Sequence, residues 1–443
     1  MKSSKGARTN VGISRRKFLA TVPAATLALA GGLPPSVHAQ APAVRRGYQG
    51  KLTMYAKRTL EQGFQKIVDD FKAGHPGVDI VWNYAPIERW VAGFTAAQFA
   101  GEQTDMVMPD GQFLRSMVAG NQLLDLTDIS FKSRFRPIAM ESHTINNRLW
   151  ALPIEGMTGW VIFTNRAILK KLGLPYPETI ADLVNMKGEF KKAGIAPFTH
   201  AGQLIFYWPV WFFTAYQQTT GDQAVQRTIA CLKGERKFTD PDVVAAFDAV
   251  FNLGRQGLFI EGVTTLDRDG ALATFVNGKA AFWLMFTSYI QNVRKAAPRD
   301  LDFDVEIPPQ LTAQKAPRRF PGGIGSSLAI PQKIDRSRKD VAIEFFEFAT
   351  RDEYIDHVCR SLGTALGTTT TSKGGADPVT PKLTGMLDNF RLYLDWFWPP
   401  EVTNTFRQSL QAGILGQKTP EQAAKDVQAT FDKLVAGGYK YIG

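Results

Sequence analysis

Four histidines follow the first 39 residues, His75, His143, His200 and His357, and each stands alone. None has the H-E-x-x-H spacing that turns two imidazoles toward one zinc ion from a single helix face. No G-x-S-x-G elbow, P-loop or dinucleotide glycine fingerprint occurs, and the glycine-rich "GGIGSS" at 322–327 has too little context to count as one. The paired acids Asp69 and Asp70 sit next to the apolar face of a predicted helix and read as its solvated side. Two distant carboxylates could still make a glycosidase pair, because that arrangement leaves no local signature. What the chain offers instead is flat apolar surface: Ala273 to Tyr289, "ATFVNGKAAFWLMFTSY", is rich in rings and has no carboxylate, histidine or cysteine. Accordingly no catalytic residue, metal ligand or cofactor is expected.

The N-terminus reads as an address. Arg15 and Arg16 in "SRRKFLA" precede a modest apolar run, Ala20 to Gly32, too short and too rich in Ala and Gly to span a bilayer stably. Val37 to Ala39, "VHA", is a small-x-small cleavage signal. Together they resemble a cleavable twin-arginine signal over residues 1–39, which implies export of a folded chain by the twin-arginine machinery to the periplasm. No cysteine follows the apolar run, so lipid attachment is not expected. Cleavage would leave 404 of the 443 residues, enough for two or three domain-sized units. The formal charge is +11, of which six basic residues lie in the first 39, leaving +5 on the rest. Bases and acids interleave, as in "RSRKDVAIEFFEFATRDEY", which speaks for a solvated surface and against a nucleic-acid partner.

Alternation between strand and helix signals sets the fold class. "KLTMYAK" predicts a strand from Leu52 to Ala56, and the next segment places Phe64, Ile67, Val68 and Phe71 on one helix face. Gly74 and Pro76 end that helix and "VDIVWNY" begins a second strand, completing a βαβ unit. "TDMVMPD", "QFLRSMVAG" and "LLDLTDI" predict a further strand, a short helix and a closing strand. Around Leu149 two short strands lead through Gly and Pro into a helix, the first crossing between lobes. Residues 181–275 are mainly helical, and Pro308, Pro309, Pro317 and Pro321 mark a second crossing. The threonine-rich "LGTTTTSKGGADP" makes a third. The last helix opens with a capping box, Thr419 with Gln422, and buries Ala423, Val427, Phe431 and Leu434. Three crossings between α/β halves describe a clamp with a cleft.

The order of these segments resembles the extracellular solute-binding protein family 1 that delivers sugars to ABC importers, which includes the maltose-binding proteins. The likeness is carried by "FQKIVDDFKAGHPGVDI", "TDMVMPDGQFLRSMVAGNQLLDLTDI", "LPIEGMTGWVIFTNRAILKKLGLPYPETIADLV", "FVNGKAAFWLM", "GGIGSSLAIPQ" and "GQKTPEQAAKDVQATFDKL". It implies an α/β fold of the type II periplasmic-binding-protein kind, two discontinuous α/β lobes joined by a hinge with a central ligand cleft. The lobes would be 48–153 plus 318–363 and 154–317 plus 364–443. Matching by position, the resemblance implies ligand contacts from Tyr55 and Arg58, with Lys57 between them, from Asp110 and Gln112, and from Glu155 and Thr158. It further implies Gln203, Tyr207 and Trp208 in "QLIFYWPVW", Gly323 in a glycine pair, and Trp398 and Asn404 in "DWFWPPEVTN". Where the family commonly has a Gly-Gly/Ser-Trp turn, this chain departs with Phe286, Thr287, Ser288 and Tyr289. The implied partners are a sugar, oligosaccharide or polyol and an inner-membrane ABC permease, with the receptor a monomer.

A sugar presents C–H faces and a rim of hydroxyls, so its cleft needs aromatic planes beside acid, amide and guanidinium groups. Trp160, Trp211 and Phe212 read as core, whereas Trp208 and Tyr289 fit either core or platform. Asp110 fits either a ligand contact or a helix cap, and Arg58 a hydroxyl contact, an anion contact or a solvated charge. Phe275, Ala280, Ala281 and Trp283 are expected in the core, with Phe286 to Tyr289 turning out at the cleft rim. The rival reading is a secreted carbohydrate-active hydrolase. Cys231 and Cys359 would fall in different lobes, where a bond would restrain closure, so both are expected buried and reduced.

Overall fold

The computed structural model describes residues 48–57, 60–85, 90–298, 301–312 and 316–441, with the side chains of Gln62, Val91 and Gln112 excluded. The expected export signal at 1–39, and Arg58, lie outside the described residues. No described helix is long and apolar enough to cross a membrane.

Strand β1 (Gly50–Lys57) is the centre of a three-stranded parallel sheet, with β2 (Val78–Ala85) on one side and β3 (Met106–Val107) on the other. Its last six residues are all buried, as a parallel strand covered on both faces requires. The helix Glu61–Gly74 lays Phe64, Ile67, Val68 and Phe71 on one face of this sheet. Helices Arg336–Ala349 and Asp352–Leu362 return late in the chain to the same core, where Phe345 meets Phe71 edge-on at 5.2 Å. The segment "LLDLTDI" does not form the expected strand. Leu123 makes a single bridge to Pro331, and Asp125 turns back to accept from its own Thr127 amide at 2.8 Å. This local Asx bond offers the backbone an alternative to a ladder.

After a short hairpin of β4 (Thr144–Ile145) and β5 (Arg148–Leu149), β6 (Leu152–Pro153) leads into β7 (Met157–Asn165), the hub of the larger sheet. That sheet also contains β8 (Ala196–Thr199), β9 (Ala280–Phe286), β10 (Phe303–Glu306), β11 (Phe320–Ile324) and β13 (Phe390–Leu392), in the order β13-β11-β7-β9-β8 with β10 beside β7. Strand β12 (Ser327–Leu328) pairs with β6. Phe275, Ala281 and Trp283 are buried in the large core that this sheet shares with helices Pro209–Thr220, Pro241–Arg255, Pro400–Ile414 and Pro420–Ala436. The last helix carries the expected capping box: Thr419 Oγ1 accepts from the Gln422 amide, and Gln422 Oε1 accepts from the Thr419 amide.

The chain passes from the first core to the second between Ile154 and Met157, returns between Ile324 and Leu328, and leaves again between Cys359 and Ala365. Strand β11 pairs with β7 and β13. Cys231 is buried in the second core and Cys359 in the first, and neither is bonded.

Two histidines are buried without charge partners. Desolvation holds His143 down at about 4 and His200 at about 3. His200 lies among Trp208, Trp211 and Phe259, and neither of its ring nitrogens has a partner among the described residues. A base whose folded pKa is depressed is protonated first in the unfolded chain. Stability is therefore complete above the ordinary histidine value of about 6.5 and declines as pH falls toward 4 and 3. A His200→Phe variant is expected to lose less stability than the parent between pH 6.5 and 4. Urea midpoints measured across that range check this, and parallel profiles would refute it.

Candidate functional site

The three passages between the cores are tied to one another. The amides of Ile154 and Glu155 donate to Ser326 O at 3.3 and 3.2 Å, and the Ser326 amide donates back to Glu155 Oε2 at 2.6 Å. Thr364 Oγ1 donates to Glu155 O at 3.0 Å, and the Met157 amide to Leu366 O at 2.7 Å. Glu155 is thus held from both neighbouring passages. Beside it, Lys57 Nζ at the end of β1 makes a close ion pair with Asp110, which also accepts from Ser326 Oγ at 3.3 Å. Burial raises the Asp110 carboxyl, and the Lys57 charge opposes that rise. Asp110 precedes the helix Gly111–Ala119 but makes no side-chain capping bond, so the pair with Lys57 decides its position.

Next to this junction lies a chamber of about 350 Å³. Its rings are Trp160, Phe206, Tyr207, Phe213, Phe286, Tyr393 and Trp396, and its polar groups include Glu155, Thr158, Ser288, Asp395 and Arg407. Sheet geometry explains much of the set: Trp160 on β7 pairs with Phe286 on β9, and Gly323 on β11 pairs with Thr158 on β7. Tyr207 meets Trp160 edge-on at 4.9 Å, and Phe206 meets Tyr207 at 4.5 Å while its own ring stays 47% exposed. Trp396 fits between Gly111 and Gly323, since a Cβ at either would overlap its ring. One of these glycines starts a helix over the first sheet and the other belongs to the second sheet, so a single indole bridges both halves.

Protonation suits hydroxyl recognition. Burial pushes Tyr207 up to about 12, with Arg268 opposing, and raises Tyr393 well beyond the ordinary phenol value. Both phenols therefore remain donors near neutrality. Burial also pushes Asp395 up to about 6, against the pull of Arg407.

A second chamber of about 440 Å³ shares Asp395, Trp396 and Arg407 with the first. It is also lined by Phe113 and Arg115 of the helix Gly111–Ala119 and by Tyr439 and Tyr441 near the C-terminus. The Arg115 guanidinium lies 4.4 Å from the Phe397 ring centre and donates from Nη1 to Tyr441 Oη at 3.1 Å.

The structure distributes the sequence-derived residues unevenly. Glu155, Thr158, Tyr207, Phe286, Ser288 and Gly323 line the first chamber. Trp398 and Asn404 line the second, although Trp398 is only 7% exposed and stacks on Phe406 at 4.0 Å. Asp110 belongs to the polar junction. Tyr55 is 7% exposed and packs against Trp90 and Phe94. Trp208 is fully buried, Tyr289 turns edge-on to Trp283 at 5.7 Å, and Gln203 is exposed; none of the three lines either chamber. Gln112 is in the first turn of its helix, with its side chain outside the described part, and Arg58 is outside altogether. Trp396, Tyr393, Asp395 and Arg407 were not anticipated. The tryptophan-bearing "DWFWPPEVTN" was the available signal, but it did not tell which indole would face the space. Among the described residues no group of three or more His, Cys, Asp or Glu could hold a metal ion.

Two α/β halves connected by three passages, with an aromatic chamber beside the junction, define a clamp-type solute receptor. The model of the bacterial extracellular solute-binding protein family matches residues 57–355, and the chain belongs to that family. No curated protein matches it. Solved structures share its type II periplasmic-binding-protein fold. A family 1 extracellular solute-binding protein from Bifidobacterium longum subsp. infantis is 16% identical with a TM-score of 0.75, covering 87% of this chain and 100% of its own. The maltose-bound MalE3 of T. maritima is 22% identical with a TM-score of 0.67, covering 87% and 99%. A sugar transporter from Bacillus licheniformis in complex with stachyose is 18% identical with a TM-score of 0.66, covering 87% and 100%.

Proposed function

We propose that this chain is the periplasmic receptor of an ABC importer, binding a sugar, oligosaccharide or polyol in the chamber around Trp396 and delivering it to the permease. The observation that carries this reading is the chamber itself: seven rings beside two carboxyl groups, a guanidinium and hydroxyls. Rings suit the C–H faces of a sugar, and the polar rim suits its hydroxyls. The maltose- and stachyose-bound relatives support the ligand class. Residues 48–154 with 325–363 form one lobe and 157–324 with 365–441 the other, and the bonded passages near Glu155, Ser326 and Thr364 act as the hinge. A ligand favours closure only by binding the closed state more tightly than the open one. The twin arginines and the "VHA" motif support export of the folded chain through the twin-arginine route.

A thermal-shift screen of mono- and oligosaccharides and polyols tests this, followed by recovery of the bound compound. A receptor gains stability by mass action and returns its ligand unchanged, whereas a hydrolase releases product with time. Failure of every saccharide and polyol to raise the melting temperature would remove the reading.

A further inference from the structure

The second chamber has a charge pattern that neutral sugar binding does not use. Three of its lining residues are cationic, Arg115, Arg407 and Lys440, and one is acidic, Asp395. Arg407 is poorly satisfied where it stands: Nη2 is 3.9 Å from Asp395 Oδ2, Nη1 is 3.5 Å from Asn404 Oδ1, and Nε is buried with no hydrogen-bond partner among the described residues. A guanidinium whose two Nη groups make only long contacts keeps donor capacity for a planar or tetrahedral anion. Arg115 reaches the same space from the other half, its charge held between the Phe397 and Tyr441 rings. The two chambers share Asp395, Trp396 and Arg407 in their walls, which places them side by side.

We infer that the ligand is an acidic saccharide, with a sugar ring against the aromatic chamber and its anionic group in the second chamber between Arg407 and Arg115. The inference rests on the saccharide-receptor reading and narrows it to one chemical class. The anion is a carboxylate or a phosphate, chemistries that this pair of guanidiniums receives in the same way. Recruiting the anion from both halves makes its contacts available only when the halves are together, so the charge itself rewards closure.

The test is titration calorimetry of the full mature chain with matched pairs, α-1,4-linked digalacturonate against galactobiose and trehalose 6-phosphate against trehalose. The acidic member of at least one pair is expected to bind roughly tenfold or more tightly than its neutral parent. That preference should weaken as salt is raised. Arg407→Gln should abolish the preference and Arg407→Lys restore part of it. Arg115→Gln offers an independent variant should Arg407→Gln not fold. A carboxylate-only or phosphate-only preference identifies the source of the anion and supports the inference. Equal or tighter binding of the neutral sugars overturns it while leaving the receptor reading in place. Binding of no member of either pair, by a chain that responds to no other saccharide, overturns both.

Discussion

Replacing Trp208 by alanine is expected to destabilise the fold by about 3–5 kcal/mol, the usual cost of truncating a large buried aromatic. The side chain has no exposed surface, and its ring lies 4.5 Å from His200 and 5.6 Å from Phe259. Its Nε1 donates to Gly202 O at 3.0 Å, and the indole lies against Gly202 so closely that a Cβ there would overlap it. Rigid strands and helices surround the site, so collapse onto the vacated volume would be partial. Urea denaturation should show a lower midpoint with an unchanged slope. Sugar affinity, measured well below that midpoint, should stay near the parent's, because Trp208 lines neither chamber. Parental stability together with lost binding would show that this indole is a ligand platform after all.

Position in sequence made Trp208 a candidate for the cleft, and the reason it lies elsewhere is instructive. In "QLIFYWPVW" a 3-10 turn over Ile205–Tyr207 runs straight into the helix Pro209–Thr220, so neighbouring rings point in different directions. Phe206 and Tyr207 face the chamber while Trp208 turns into the core. Local periodicity could not reveal this, since eleven of the twelve residues of the following helix are buried and it has no solvent face to orient it. Fold-level features were more legible, because they depend on local signals: the apolar face of Glu61–Gly74, the capping box at Thr419 and the alternation of strand and helix. The site was less so because it is assembled from five separate stretches between Glu155 and Arg407, and which face of each meets the others is a property of packing. Tyr55 makes the same point. A residue near the end of β1 is well placed for a cleft, yet its ring is claimed by Trp90 and Phe94 on the covering helix.

Trp396→Ala should have the opposite signature, weakening sugar binding at least tenfold, the scale on which a central aromatic anchor contributes. The ring is half-buried, borders both chambers and meets Tyr393 at 5.1 Å with a 67° tilt. Its removal takes away the plane against which a sugar face would lie. Because the indole packs on Gly111 from one half and Gly323 from the other, the loss falls on the closed form in particular. Affinity should therefore drop more than stability of the free protein, whose hydrophobic cores do not include this ring. Titration calorimetry alongside urea denaturation separates the two effects. A variant that binds its sugar as the parent does would remove Trp396 from the site and with it the argument that this junction is where the two halves grip their ligand. Gly323→Val probes the same contact from the backbone side, since its side chain would occupy the ring's place; it should weaken binding while Trp396 is still present.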